Sequence, residues 1–225
     1  MKYRYRVLVL LFFLSIITYL DRVCMSVAGP RMQADLNISP ERWGWVMGAF
    51  TLAYALFEIP TGALGDRIGQ RKVLTRIVVW WSVFTTLTGT VSSYFLLLIT
   101  RFMFGVGEAG AFPNSSGSIS RWFPAVERAR AQGVVWMATR IGAAISPLIV
   151  VPIQQHYGWR ASFWAFGFLG LIWASVYYIW YRDFPSEKPG VSRKELEEIG
   201  AGAQRTPHRG LPWGTVLRKS GVKMD

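Results

Sequence analysis

Six runs of apolar residues follow one another along the chain, at about 7–28, 43–64, 73–91, 94–123, 131–153 and 160–181. Each is near the ~20 residues a helix needs to cross a bilayer's hydrocarbon. The period-2 alternation of membrane strands is absent, so each run reads as a helix. The joints are short: Ser92-Ser93 is a minimal turn, and 124–130 and 154–159 are only a little longer. Helices joined so briefly are antiparallel neighbours. The pattern predicts an all-α membrane protein, with six transmembrane helices packed as one bundle over 1–184. The fourth run is long enough to tilt or protrude. After Pro185 the composition turns polar, with Pro and Gly. The segment 185–225 is expected to be a linker, with a short amphipathic helix at Arg193-Lys194-Glu195-Leu196-Glu197-Glu198-Ile199 that is solvated or lies on the membrane surface.

Charge adds an orientation. The chain carries 25 Lys and Arg against 13 Asp and Glu, a net +12. Such an excess can mark a nucleic-acid binder, but here its placement follows topology. Only Arg31, Arg42 and Arg160 fall at the joints on one side, and Arg22, Arg101 and Arg140 fall deep inside the runs; the rest gather at the N-terminus, at or beside the opposite joints, and in the tail. The positive-inside rule then puts both termini and the linker in the cytoplasm. The basic start followed by apolar residues has the order of a secretory signal, but the run is too long and contains Asp21-Arg22, so it reads as a retained helix. Cys24 stands alone, which excludes an internal disulfide, and His156 and His208 form no metal-ligand cluster. No cofactor is expected.

The candidate chemistry lies in five charges inside the runs: Asp21, Arg22, Arg101, Glu108 and Arg140. Each costs roughly 2.5–3.5 kcal/mol to place in hydrocarbon on insertion scales. An ion-pair network joining helices is one account, and a polar cavity for an anion is the other. Three arginines against two acids favour the cavity: the five sum to +1, and to +2 when either acid is protonated. A site that grows more positive on protonation draws in an anion together with a proton. Arginine suits a carboxylate because its planar fork donates two parallel hydrogen bonds. Asp21 and Glu108 suit proton carriage because burial and nearby arginines act on their protonation in opposite senses. Tyr19 and Tyr54 are placed to hydrogen-bond a hydroxylated substrate or simply to pack. Gly105-x-Gly107-x-x-Gly110 has the spelling of a dinucleotide loop but lacks the strand that must precede one, so it reads as helix packing. No nucleophile elbow, phosphate loop or metal box is present, and no enzyme is expected.

Between the second and third runs stands Gly62-Ala63-Leu64-Gly65-Asp66-Arg67-Ile68-Gly69-Gln70-Arg71-Lys72, a basic, Gly-rich stretch expected to turn the chain tightly. It resembles the loop between helices 2 and 3 of the major facilitator superfamily. Tyr19-Leu20-Asp21-Arg22, Arg101-x6-Glu108-Ala109 with Pro113, Arg121-Trp122-Phe123-Pro124, Glu127-Arg128 and Tyr157-Gly158-Trp159-Arg160 resemble the superfamily's anion:cation symporters. That resemblance implies two six-helix bundles with a site between them, of which this chain is the N-terminal one; Pro212-Trp213 to Lys219 resembles the approach to helix 7. It implies proton-coupled transport of a small organic anion, such as galactonate, glucarate or a hexuronate, across a plasma membrane. Phosphate-ester exchange, and a non-transporting truncated component, are the alternatives. By resemblance, Arg22 and Arg101 bind the anion, Tyr54 contacts substrate, and Asp21 and Glu108 couple protons. Tyr19 is expected to join the substrate contacts, as is Arg140, where family members often carry an uncharged polar residue, so that it shifts substrate preference. Gly62, Asp66, Arg67, Gly69 and Arg71 are expected to gate the conformational change. The Asp matching Asp66 contacts the second bundle in the family, so Asp66 is expected to lack a partner here. The implied partners are the anion, protons, the lipid bilayer and a second six-helix half.

Overall fold

The structure is a computed structural model that describes residues 2–200. The stretch from Pro212 to Lys219 and the remainder of 201–225 lie outside the described residues. Among the described residues there are seven α-helices: α1 (Tyr3–Asp35), α2 (Pro40–Ile68), α3 (Gln70–Thr88), α4 (Tyr94–Glu108), α5 (Ala111–Trp122), α6 (Ala125–Trp180) and α7 (Arg193–Ile199), with a 3-10 turn at Pro185–Glu187. No strand occurs among the described residues. By length and composition, α1, α2, the α4–α5 unit and α6 are each able to cross a membrane. α3, with 19 residues, carries Arg71, Lys72 and Arg76 in its first two turns. α6 makes two crossings, so the six expected spans are all accounted for.

Two of the expected joints and one of the expected runs differ. The basic stretch 62–72 is helical except at one residue: α2 runs to Ile68, α3 begins at Gln70, and Gly69 turns the chain alone with φ 97° and ψ 142°. Such backbone is nearly closed to residues with a Cβ. The expected turn at 154–159 is likewise a single residue, Gly158, at φ 79° and ψ 165°, between helical arms 125–157 and 159–180. The second arm runs back along α1: Gln154 lies against Cys24, whereas Trp173 Nε1 donates to the Leu10 carbonyl at 2.9 Å. The fourth run is broken at Ala109 and Gly110, directly after Glu108. Pro113 has no N–H to offer the Ala109 carbonyl four residues earlier, and Gly110 takes a left-handed φ of 85°, which together break the helix there.

In a bilayer, apolar burial alone does not drive helices together, and close approach does. Gly105 lies against the Phe50 carbonyl and Ala53 of α2, Gly107 under the Trp80 ring of α3, and Gly110 against Thr61 of α2. The dinucleotide-like spelling thus serves three helix crossings. Gly142 meets Ile16 and Tyr19 of α1 in the same way. Buried hydroxyls of Ser15, Thr18, Thr100, Ser115 and Ser118 donate to carbonyls four residues back on their own helices, as a medium without water requires. The core has two apolar clusters. One, at the basic end, includes Leu11, Leu14, Trp81, Phe104, Trp122 and Tyr181; the other includes Cys24, Met25, Leu97, Val150 and Phe163. Large apolar side chains remain exposed on α2 (Trp45, Leu52, Leu56, Ile59) and on 125–157 (Trp136, Met137, Leu148), as suits a surface facing lipid or another membrane unit.

Candidate functional site

The two clusters meet at a layer of charge. On α1, Ile17 belongs to the basic-end cluster and Leu20 to the other, and Asp21 and Arg22 follow. On α4, Leu97 and Phe104 belong to different clusters, with Arg101 between them. Asp21, Arg101 and Glu108 are each 3% exposed or less. Adjacent residues of a helix point about 100° apart, so Asp21 turns inward while Arg22 reaches across to α4. Arg22 Nε and Nη2 both donate to Oε1 of Glu108, at 2.9 and 2.8 Å. Oε2 of Glu108, both oxygens of Asp21 and Nε of Arg101 have no hydrogen-bond partner among the described residues. Asp21 lies close enough to Glu108 and Arg101 to feel both charges.

Aromatic rings complete the arrangement. The Arg22 guanidinium lies over Phe50 and Tyr54, each 5.2 Å to the ring centroid, and 5.7 Å from Tyr19. Arg101 lies over the same Phe50 ring at 5.2 Å and over Phe104 at 4.5 Å. Phe50 therefore sits between the two arginines. It precedes Tyr54 by four positions, the spacing that aligns side chains on one helix face; that relation was its only signal in the sequence. The Tyr54 hydroxyl donates to Glu58 at 3.4 Å. Arg22 is the accessible member of the layer, with 29% of its side chain exposed. Arg140 is exposed on α6 and does not join the layer. An apolar hollow of about 660 Å³ between α2 and α4, lined by Trp45, Leu52, Leu98 and Phe102 among others, takes in none of these charges.

The gating candidates form a second cluster at the basic end. Gly62 meets the Pro113 ring, and Gly65 faces Asn114, whose amide donates to the carbonyls of Thr61 and Gly110 at 3.2 and 2.7 Å. A side chain at Gly69 would overlap the Asp183 carboxylate. That carboxylate accepts from the Arg71 N–H at 2.9 Å and pairs with Arg121 at 3.3 Å. Arg71 also donates to the Tyr178 carbonyl at 2.8 Å. Asp66 and Arg67 are exposed, and Asp66, expected to lack a partner, accepts from Gln70 of the next turn at 3.4 Å. Asp183 and Asn114 went unrecognised in the sequence, because an acid after a helix and an amide within one show nothing of what lies across the bundle.

A family model described as the Major Facilitator Superfamily matches residues 11–222. The chain belongs to that superfamily. This facilitator chain is 34% identical over 221 residues to a protein of Cupriavidus necator named probable sulfoacetate transporter SauU, covering 97% of this chain and 51% of that one. It is 34% identical over 216 residues to the hexuronate transporter of Bacillus subtilis, covering 96% and 50%. The crystal structure of a bacterial homologue of the human lysosomal transporter Spinster, inward-facing and unoccupied, superposes with a TM-score of 0.76 at 23% identity, covering 98% of this chain and 50% of that one. The chain thus spans about half the length of the curated relatives it matches. The superfamily's membrane fold accounts for the apolar flanks, and its members are transporters rather than enzymes. Among the described residues, no group of three His, Cys, Asp or Glu is placed to hold a metal.

Proposed function

We propose that this facilitator chain, acting with a second six-helix unit, carries a small organic anion, a sugar acid such as galactonate, glucarate or a hexuronate, across the membrane together with protons. The basic end faces the cytoplasm, in a plasma membrane. The observation that carries the reading is the bond from Arg22 to Glu108, which places an anion-binding group and an acid on one guanidinium. A substrate carboxylate entering the layer competes with Glu108 for Arg22. The displaced Glu108 carboxylate, in a buried site, then takes up a proton, so anion and proton bind with positive coupling. Arg101 holds the field positive from behind Phe50, while Tyr19 and Tyr54 border the accessible guanidinium and offer hydroxyls to substrate. Asp21, with no donor on either oxygen among the described residues, is the second group open to a proton. Gly62, Gly69 and Arg71 hold the α2–α3 hairpin on α5 and α6, and Asp66 and Arg67 lie exposed on the same hairpin, the joint at which the bundle rocks as access alternates. The names of the relatives agree with anion transport.

The test uses purified active carrier, the chain together with its second unit, in proteoliposomes. Glu108→Gln fixes a neutral side chain. It is expected to retain anion binding and exchange, to lose the pH dependence of binding and to abolish accumulation driven by a proton gradient. Arg22→Ala is expected to weaken binding itself, by about 2–5 kcal/mol if a buried charge contact with substrate is lost. Concentrative uptake by Glu108→Gln would overturn the coupling assignment. Binding unaffected by Arg22→Ala would overturn the anion site.

A further inference from the structure

The Arg22–Glu108 layer is balanced within itself, since Asp21 and Glu108 offset Arg22 and Arg101. Arg140 is not. It stands inside a membrane-spanning arm, is exposed, and has no hydrogen-bond, ion-pair or ring partner among the described residues. A guanidinium at that depth calls for an anionic partner. Two packing registers fix its level. One turn toward the basic end, Trp136 stacks on Phe112 with ring centroids 5.2 Å apart and planes 3° from parallel. Phe112 stands four residues after Glu108 in a segment antiparallel to the 125–157 arm, so one turn in the other direction brings Arg140 to the level of Glu108. Independently, Gly142 touches Ile16 and Tyr19 of α1, which puts the backbone of Arg140 about 8–12 Å along the axis from that of Arg22. Arg140 shares its helix face with Trp136, whose ring is about half exposed, so that face is left uncovered by this bundle beside the layer.

On the anion-transport reading above, we propose that the transported anion carries two negative groups: one taken by Arg22 as it leaves Glu108, the other taken by Arg140. The charge balance points the same way. With Glu108 protonated, the five charged groups sum to +2, so a dianion brings the loaded site to neutrality and a monoanion leaves one guanidinium uncompensated. Two fixed forks at similar depth also select for length, because a short difunctional acid reaches both with its two ends. The substrate class is thus a dicarboxylate or sulfocarboxylate of a few carbons.

The test is binding to the purified active carrier, read as ligand-induced thermal stabilisation and converted to Kd, with matched acid pairs: glucarate against gluconate, galactarate against galactonate, and sulfoacetate against acetate. The dianion is expected to bind at least 10-fold more tightly than its monoanionic partner in the pair that fits the site. Arg140→Gln is expected to reduce that ratio below about 3-fold, chiefly by weakening the dianion, and Arg140→Lys to restore part of it. Equal binding of both members by the native carrier, or an unchanged ratio in Arg140→Gln, overturns the proposal. If Arg140 instead pairs with an acid of the second unit, Arg140→Gln lowers the melting temperature of the unliganded carrier without moving the ratio, which also overturns it. Arg22→Ala separates the two claims: it should weaken both members of each pair. Its failure to do so, or the failure of every acid to bind, overturns the transport reading itself.

Discussion

Asp183 gathers three segments onto one carboxylate: the Arg71 N–H at the start of α3, the Arg121 guanidinium at the end of α5, and the backbone of Gly69 in the single-residue turn. Hydrogen bonds to a charged group contribute about 1.5–3 kcal/mol. With 19% of the Asp183 side chain exposed, screening puts Asp183→Ala toward the low end of that range. Gly69→Ala carries two costs, the positive φ, of order 1–3 kcal/mol, and overlap with the carboxylate. Removing the carboxylate relieves the second cost. Unfolding of the double variant in detergent should therefore show less destabilisation than the sum of the single variants. Additivity within about 0.5 kcal/mol would mean that the two residues do not press on each other. The layer residues differ in how openly they appear in the sequence. Asp21, Arg22, Arg101 and Glu108 are conspicuous as charges in apolar runs. Their pairing is not, because the seven-residue spacing of Arg101 and Glu108 shows a shared face on α4, whereas the partner of Glu108 arrives from α1, 86 positions away.

At the scale of elements, hydropathy located every membrane helix, because crossing hydrocarbon constrains composition over some twenty residues at once. The breaks were harder to place. One rests on Pro113 acting four residues upstream and one on a lone Gly158, and neither changes the mean hydropathy around it. The short helix α7 was legible from its amphipathic spelling, and the structure adds Ser192 as its cap, the hydroxyl accepting from the Glu195 N–H; its position was not legible. It docks on the bundle instead of being solvated. The buried carboxylate of Glu195 accepts from the N–H groups of Tyr3 and Arg4, at 3.1 and 2.9 Å, and so caps α1 from 191 positions away. Buried Arg4 then bonds Glu198 at 2.8 Å and Glu127, at the start of α6, at 2.9 Å, while Lys2 pairs with Glu198. Glu195→Ala removes a cap worth about 0.5–2 kcal/mol, so amide exchange at Tyr3 and Arg4 should quicken. The hydrogen bond from Lys2, then that from Arg4, holds the Glu198 carboxyl below its ordinary range. A lowered folded value means that the stabilisation is full above the unfolded value, near 4.3, and is lost as pH falls through the folded one. A spin label at exposed Lys194 should therefore remain immobile at neutral pH and loosen only in acid below that value, with the acid step missing in Glu198→Gln. A label equally mobile at every pH would show that α7 is not held there.

For the whole molecule, the orientation rests on charge. It predicts that single cysteines at Asn37 and Gln155, both exposed at the less basic end, react with an impermeant thiol reagent on intact cells, while one at exposed Lys72 does not. Gln70 is a poor probe for that side because it is 1% exposed and would be silent in either orientation. The background needs Cys24→Ala, which leaves a small residue in a packed site. Labelling at Lys72 from outside would invert the model. The docking of α7 has a further consequence for any chain that continues past Gly200. Counted from Pro185, the connection to a second bundle would include about 15 residues of slack that the docked helix withdraws, a loss of up to roughly 50 Å of extended reach. The leash then starts at a fixed post under α1 and α6 rather than at the end of the sixth span. A shorter leash raises the local concentration of what it holds, so docking of α7 would confine such a bundle to the neighbourhood of the first, and its release would lengthen the leash without breaking a covalent bond.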